Sequence, residues 1–486
     1  LEHPVNNDFE CASYFWKSEI AFHEHQYSDA ISYAQEFIGK LGKKKGLAYI
    51  SPLATAQHAY LNMGYAALES KNYAAAQGFF NHAQEQNDDP YTGMVAMVRE
   101  ADAVFMQRNY SKAIALYDKI ISKDTKDADY ARYQKGILLG LLGKNSEKIS
   151  MFQFLIGKKP ASAYGSFARY ELALTYLEND KYSQALPYLK YLTDTATDKS
   201  FAPKAWMKRG FIYQETDMTA QAIEAYKQVV INYPASEDRF SAMEALRSLY
   251  IESNKPGEYS RLLKDNNLPS AEGGSVDSTY YAAAETQFAN GKIESAHAAF
   301  TDYLKEYPHG IFELKAHYYR AECNFHLKKY KEAKEDYQIV LKGPWNEFLE
   351  NSSRHAATIA YEEKDFALAF EYYLKLATNS STSQMKELAY SGIVRSGFQA
   401  SKYHEVAEYA DSLMAVPGVS AENMNDALYF KARSIQYSDS TSDQAMNPAR
   451  AAAAAARTVF TSPSASDQLR RPCHRASCRQ RRRRPA

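Results

Sequence analysis

Tyr330-Lys-Glu-Ala333-Lys-Glu-Asp-Tyr337 reads as an aromatic, two residues, Ala, three residues and an aromatic, and the same phrase returns at Tyr73–Phe80, Tyr110–Tyr117 and Phe366–Tyr373. Looser copies are Tyr27 to Ala30, Tyr182 to Ala185, Ala222 with Tyr226, and Ala296 with Phe300. With the Ala as anchor, the series runs 30, 76, 113, 148, 185, 222, 259, 296, 333, 369, 406 and 445. After a first step of 46 residues, every step is 35 to 39 and most are 37. A period this constant is the signature of a repeat architecture and outweighs any element-by-element reading. Lys148, Tyr259 and Val406 replace Ala at three anchors. A bulky side chain there is expected to push two helices apart or turn outward, loosening those repeats.

A small residue stands twelve positions before most anchors, as in Gly64, Ala101, Gly136, Ala173, Gly210, Ala284, Ala321 and Ala357. Short breaks such as Glu69-Ser-Lys-Asn72 and Asn290-Gly291-Lys292 separate it from the anchor. Each unit therefore reads as helix, tight turn, helix, with the small residue facing the Ala so that the backbones approach, and aromatics filling the space beside them. Pro160, Pro234, Pro308 and Pro344 stop second helices, because Pro cannot continue one.

Trp206, Gly210, Tyr213, Ala222, Tyr226 and Pro234 make the clearest copy, and with it the chain resembles the tetratricopeptide repeat family over about residues 11 to 446. The resemblance implies an all-α fold, a right-handed α-solenoid of about twelve helix hairpins with a 37-residue period, each burying its faces against its neighbours. Val-Val-Ile-Asn-Tyr-Pro234 and Tyr-Leu-Lys-Glu-Tyr-Pro308 are also similar to units of bacterial cell-envelope members, among them the Tol-Pal partner and the lipoprotein of the β-barrel assembly machine. Two places could interrupt the array. Gly39-Lys-Leu-Gly-Lys-Lys-Lys-Gly46 is expected to be a basic, flexible connection, and residues 265–278 either a hinge or a long loop between arrays 1–264 and 279–446.

The formal charge of zero, from 58 basic and 58 acidic residues, joins two unlike parts. Residues 447–486 hold ten Arg, no Lys and Asp467 alone among acids, a balance of +9, which leaves −9 for residues 1–446. The tail breaks the repeat in mid-hairpin. Its Arg run 479–484 could bind phosphates by counterion release, and Cys473, His474 and Cys478 could form part of a metal site, but three ligands do not close one. We expect 447–486 to be a disordered, out-of-frame terminus. With 39 Tyr and 23 Phe the body can bury a core, and no window approaches the roughly 20 apolar residues of a membrane span. The start at Leu1-Glu-His-Pro, without Met, leaves room for an upstream segment.

Catalytic patterns are missing from the sequence. His23 and His25 diverge by about 200° on a helix, Cys323 with His326 makes half a metal site, and Gly273-Gly274 lacks the rest of a phosphate loop. Neither enzyme activity, nor a cofactor, nor a metal, nor a small-molecule ligand is expected. Binding remains, and the family places it on the first helix of each unit. The residues of this chain that map there are Tyr65, Phe105, Tyr133, Tyr170, Phe211, Tyr281, Glu285, Phe288, Tyr318, Glu322, Phe325 and Tyr361, with Phe15, Phe22, Glu19, Asp102, Gln214 and Arg354 beside them. For any one ring, packing between helices is the competing reading; as a stripe the rings suit an extended protein or peptide partner. The stripe lacks the basic and amide clamp of chaperone-binding members and, being acidic, suits basic or neutral segments. A non-catalytic interaction scaffold, periplasmic or outer-membrane-associated, is the leading expectation. The alternatives are a cytoplasmic adaptor and the binding arm of a larger enzyme.

Overall fold

The computed structural model describes residues 7–159, 162–270 and 275–438. The tail 447–486, the anchor Ala445 and Pro160 lie outside the described residues. Among those described, the fold is all-α, with 23 α-helices and one short π-helical segment. They pair as hairpins: α1 (Asn7–His23) with α2 (Tyr27–Leu41), α3 (Ala56–Glu69) with α4 (Tyr73–Gln86), α5 (Pro90–Met106) with α6 (Tyr110–Ser122), and α7 (Ala128–Leu141) with α8 (Asn145–Lys158). Next come α9 (Gly165–Leu177) with α10 (Tyr182–Lys190), α11 (Ala202–Glu215) with α12 (Thr219–Asn232), and α13 (Arg239–Glu252) with α14 (Pro256–Asp265). The series continues with α15 (Val276–Ala289) and α16 (Ile293–Glu306), α17 (Glu313–His326) and α18 (Tyr330–Lys342), α19 (Leu349–Glu362) and α20 (Phe366–Asn379), α21 (Ser383–Gln399) and α22 (Tyr403–Met414), and ends at α23 (Ala421–Ser438). Every second helix starts three residues before its anchor, so the register read from the sequence is the register of the hairpins. Pro234, Pro308 and Pro344 each follow two residues after a second helix ends.

The turns share one geometry that the sequence hides. Five residues before each anchor the backbone is left-handed, at His25, Lys71, Arg108, Gly143, Asp180, Asp217, Asn254, Gly291, Lys328, Lys364 and Ser401, with φ between 53° and 72°. The next N–H reaches back to a carbonyl of the first helix, as in Asn72 N to Ala67 O at 2.8 Å and Lys329 N to Asn324 O at 2.8 Å. This is a Schellman-type ending, and it satisfies carbonyls that a helix end otherwise leaves open. Only two of these positions are Gly, so most turns carry the steric cost of a side chain at positive φ, about 1 kcal/mol each.

Packing sharpens one expectation and corrects another. What stands nearest the small residue of the first helix is the ring four residues beyond the anchor: a Cβ built on Gly64, Gly136 or Gly210 would lie 2.3 Å, 2.3 Å and 2.5 Å from Phe80, Phe152 and Tyr226. Those rings are buried, each contributing about 2–3 kcal/mol of apolar burial. The bulky anchors do not turn outward. Lys148, Tyr259 and Val406 are all buried. For two of them a glycine stands across the interface, with a Cβ on Gly140 falling 3.0 Å from Lys148 Cδ and one on Gly397 falling 2.7 Å from Val406 Cγ2. Lys148 keeps its charge paired, donating from Nζ to Glu171 Oε2 at 2.9 Å.

The described residues pack as two compact units that divide between Ala242 and Met243. In the first, the connection expected to be flexible is folded. Gly46 bridges Thr55, Leu47 N donates to Ala54 O at 2.7 Å, and Leu47 and Ala54 are fully buried. Three of the four lysines there are paired, Lys40 with Glu10 at 3.0 Å, Lys44 with Asp8 at 2.6 Å and Lys45 with Asp88 at 3.0 Å. The described part of the stretch 265–278, residues 265–270 and 275–278, falls in the second unit, where α14 packs on α15.

Candidate functional site

Within each unit the first helices carry a row of rings and charges, and the structure sorts the expected contact residues by what each ring touches. One set closes the hairpins. Phe105 sits edge-on to Tyr110 at 6.1 Å, Phe325 to Tyr330 at 5.7 Å and Tyr361 to Phe366 at 5.3 Å, and Phe22 lies tilted beside Tyr27 at 5.8 Å. In each case the partner is the opening aromatic of the next helix, so the ring at the end of one helix pins the start of the other.

A second set joins successive hairpins. Tyr133 stacks on Tyr164 at 5.7 Å, Tyr281 on Phe312 at 4.4 Å and Tyr318 on Phe348 at 4.4 Å, and Tyr170 lies tilted against Phe201 at 5.2 Å. Each partner is the residue just before the following first helix. Sequence reasoning missed these four partners, although an aromatic 30 or 31 residues after each Tyr was there to be read. The consequence is a correction for Tyr281 and Tyr318, which are only 5% and 8% exposed and serve packing rather than an open surface. Burial also raises their phenol pKa values. Tyr65 packs edge-on to Phe80 at 5.6 Å and Phe288 against Tyr319 at 5.1 Å. Phe211 remains 42% exposed and Glu285 is exposed; Phe167 of α9, which the sequence reading did not single out, is 39% exposed beside Tyr133, Tyr164 and Phe201.

The polar members are more deeply engaged than expected. In the first unit Asp102 accepts from Arg99 Nη1 at 2.6 Å and from the hydroxyls of Tyr117 at 2.7 Å and Tyr130 at 2.9 Å. In the second, Glu322 turns inward, a further correction. Its Oε1 accepts from Tyr337 O–H at 2.6 Å and lies 2.9 Å from His355 Nδ1, and the imidazole stacks on Phe325 at 4.2 Å. Burial opposes the charge on Glu322, but the His355 hydrogen bond and charge, with Tyr337, hold its pKa below the ordinary glutamate value. Asp336 follows the same logic: burial works against ionisation, and His317 at 2.7 Å with a bidentate Arg320 at 2.7 and 2.8 Å outweighs it. Such networks fix first helices against their neighbours and leave the outer edges of the rings to face solvent.

Cys323 is fully buried, and burial pushes its thiol up to about 12, while His326 is exposed, so the two do not share a ligand position. His25 Nδ1 lies 2.9 Å from Tyr27 Oη, and no group of three His, Cys, Asp or Glu side chains gathers as a metal site among the described residues. No described helix is long and apolar enough to cross a membrane.

Comparison with known proteins gives the row its context. Residues 281–346 match one tetratricopeptide-repeat family model and residues 204–236 another. No curated protein matches the chain. Among solved structures, it is similar to Naa15/Naa10 bound to HypK-THB, at 13% identity and a TM-score of 0.34, over 93% of this chain and 76% of that one. It is also similar to the Cut9-Hcn1 hetero-tetramer of the APC/C, at 10% identity and 0.28, over 90% and 96%. PilF of Pseudomonas aeruginosa aligns at 16% identity and 0.26, over 46% of this chain and 95% of its own.

Proposed function

We propose that this chain, which carries tetratricopeptide repeats, is a non-catalytic interaction scaffold whose first helices hold an extended, neutral or basic segment of another protein. The observation that carries this reading is the return of a partly exposed ring on successive first helices: Phe288, Phe325 and Tyr361 at one repeated position in the second unit, and Phe105, Tyr133, Tyr170 and Phe211, one to each of α5, α7, α9 and α11, in the first. Each ring is held from behind by another ring, so it offers its edge without the entropy cost of ordering a free side chain. Tyr hydroxyls and carboxylates such as Glu285 between them suit backbone amides and Lys or Arg side chains. A setting in the bacterial envelope belongs to the same proposal and rests on the style of the repeats ending at Pro234 and Pro308.

Selection of peptides on the full chain tests the binding surface. Enriched peptides should bind at least 10-fold more weakly to a Phe167→Ser, Phe211→Ser variant, whose two rings are exposed enough to remove without opening the core. Equal affinity for both proteins refutes the surface in the first unit. Fractionation of source cells, followed with an antibody to the chain, tests the setting; recovery in the cytoplasm overturns it.

A further inference from the structure

One ring recurs on the first helices of the second unit with its place and pose nearly unchanged. Phe288, Phe325, Tyr361 and Phe398 stand eight residues before the anchors Ala296, Ala333, Ala369 and Val406, on α15, α17, α19 and α21, and all four are partly exposed. Three of them meet the opening ring of the next helix alike: Phe325 to Tyr330 at 65° between the ring planes, Tyr361 to Phe366 at 71°, and Phe398 to Tyr403 at 64°. The helices beneath set the distance from ring to ring. α15 packs on α17 and α19 on α21, and His355 of α19 stacks on Phe325 of α17, so neighbouring first helices touch, with axes about 8–10 Å apart. The residues one turn back from the rings are Glu285, Glu322, Thr358 and Arg395, all polar, so the apolar track is one ring wide. Glu285 is exposed, accepts from Tyr281 O–H at 3.2 Å, and has no Lys, Arg or His in ion-pair contact among the described residues.

We infer that the row in the second unit takes a segment in the polyproline-II conformation that carries an apolar residue at every third position, an inference that rests on the reading of the row as a binding surface. A step of about 8–10 Å matches three residues of an extended chain, which rise about 9–10 Å, whereas two rise under about 7 Å and four over about 12 Å. A β-strand fails on direction, because side chains three apart point to opposite faces. A polyproline-II helix turns once in three residues, so four apolar residues at that spacing share one face and come down on Phe288, Phe325, Tyr361 and Phe398 in turn. An α-helix reaches the same step with seven residues, but its apolar face is broader than one residue and would be laid on Glu285 and its polar counterparts. A polyproline-II segment is ordered before it binds, as the fixed rings are, so little entropy is lost on either side. Glu285 then selects a Lys or Arg beside the residue over Phe288.

Fluorescence anisotropy on the full chain tests this with two labelled peptides of one composition. Lys-Leu-Pro-Pro-Leu-Pro-Pro-Leu-Pro-Pro-Leu carries Leu at every third position, and Lys-Leu-Pro-Leu-Pro-Leu-Pro-Leu-Pro-Pro-Pro at every second. The first should bind at least 10-fold more tightly. Glu285→Lys, a change at an exposed site, should weaken that binding at least 5-fold, and a peptide with Glu in place of its Lys should recover it on this variant. Phe288→Ser with Tyr361→Ser should abolish the preference between the peptides, while Phe167→Ser with Phe211→Ser in the first unit should leave it unchanged. Circular dichroism checks that each variant keeps the wild-type helical content. Equal affinity for the two peptides, or a preference untouched by both Glu285→Lys and the Phe288, Tyr361 pair, overturns the proposal. Peptides selected on the full chain that need Phe288 and Tyr361, yet carry apolar residues at every second or every seventh position, overturn the three-residue period alone and leave the binding surface standing. A chain that selects no peptide refutes both.

Discussion

Replacing Gly210 by Ala tests the closeness of the hairpin helices. A Cβ there would stand 2.5, 2.7 and 2.8 Å from three atoms of the Tyr226 ring, all closer than real Cβ contacts come. Tyr226 is buried and cannot swing away, so either α11 and α12 separate or the ring tilts from its packing. Forcing one extra carbon into a filled core costs about 1–3 kcal/mol, and the better helix propensity of Ala returns about 1 kcal/mol. The net expectation is a loss of up to about 2 kcal/mol. Gly78 provides the control in the same unit: it sits inside α4 with nothing within 4 Å of its Cβ position, so Gly78→Ala should gain up to about 1 kcal/mol. Equilibrium urea unfolding followed by circular dichroism should therefore move the two midpoints in opposite directions at a common slope. Adding Tyr226→Leu to Gly210→Ala should cost less than the two single losses combined, because the clash is shared. If Gly210→Ala stabilises the protein as much as Gly78→Ala does, close approach is not what the small residue supplies.

Other consequences follow from the turns, the stacks and the buried acids. Lys328→Gly and Lys364→Gly should each stabilise by about 0.5–1 kcal/mol in urea melts, since both residues hold φ near 60°. Gly291→Ala, at φ 72°, should lose a similar amount. Phe312→Ala should cost about 2–3 kcal/mol, because it uncovers Tyr281, and hydrogen exchange should quicken first at the start of α17. Glu322 and Asp336 have folded pKa values below their ordinary ones, so their contribution to stability is complete above the unfolded carboxylate range, near 4, and is lost as pH falls through the lower folded values. A Glu322→Gln, Asp336→Asn variant should be less stable at pH 7 and show a flatter acid limb in stability against pH; an unchanged limb rules out these two groups as its source.

The helical class, the order of the hairpins and the start of each second helix were legible because the phrase around each anchor is local: an aromatic, an Ala and a second aromatic within eight residues report one helix face. The turn conformation was not legible. A Gly marks it at Gly143 and Gly291, but at Lys71 or Arg108 the left-handed backbone is imposed by the two helices that must meet on either side. The fate of the expected contact residues was legible only in part. Phe105, Phe325 and Tyr361 remain at the edge of the row, whereas Tyr281 and Tyr318 are covered and Glu322 turns inward.

By itself, then, the sequence determined a period, and the period determined which helices pair, because neighbouring helices need only a small residue and a ring in register to pack. Tertiary structure alone decided which rings are spent and which are left. The ring that covers Tyr281 comes from Phe312, beyond the whole of α16, and its position depends on how one hairpin seats on the next, a geometry no single stretch of the chain encodes.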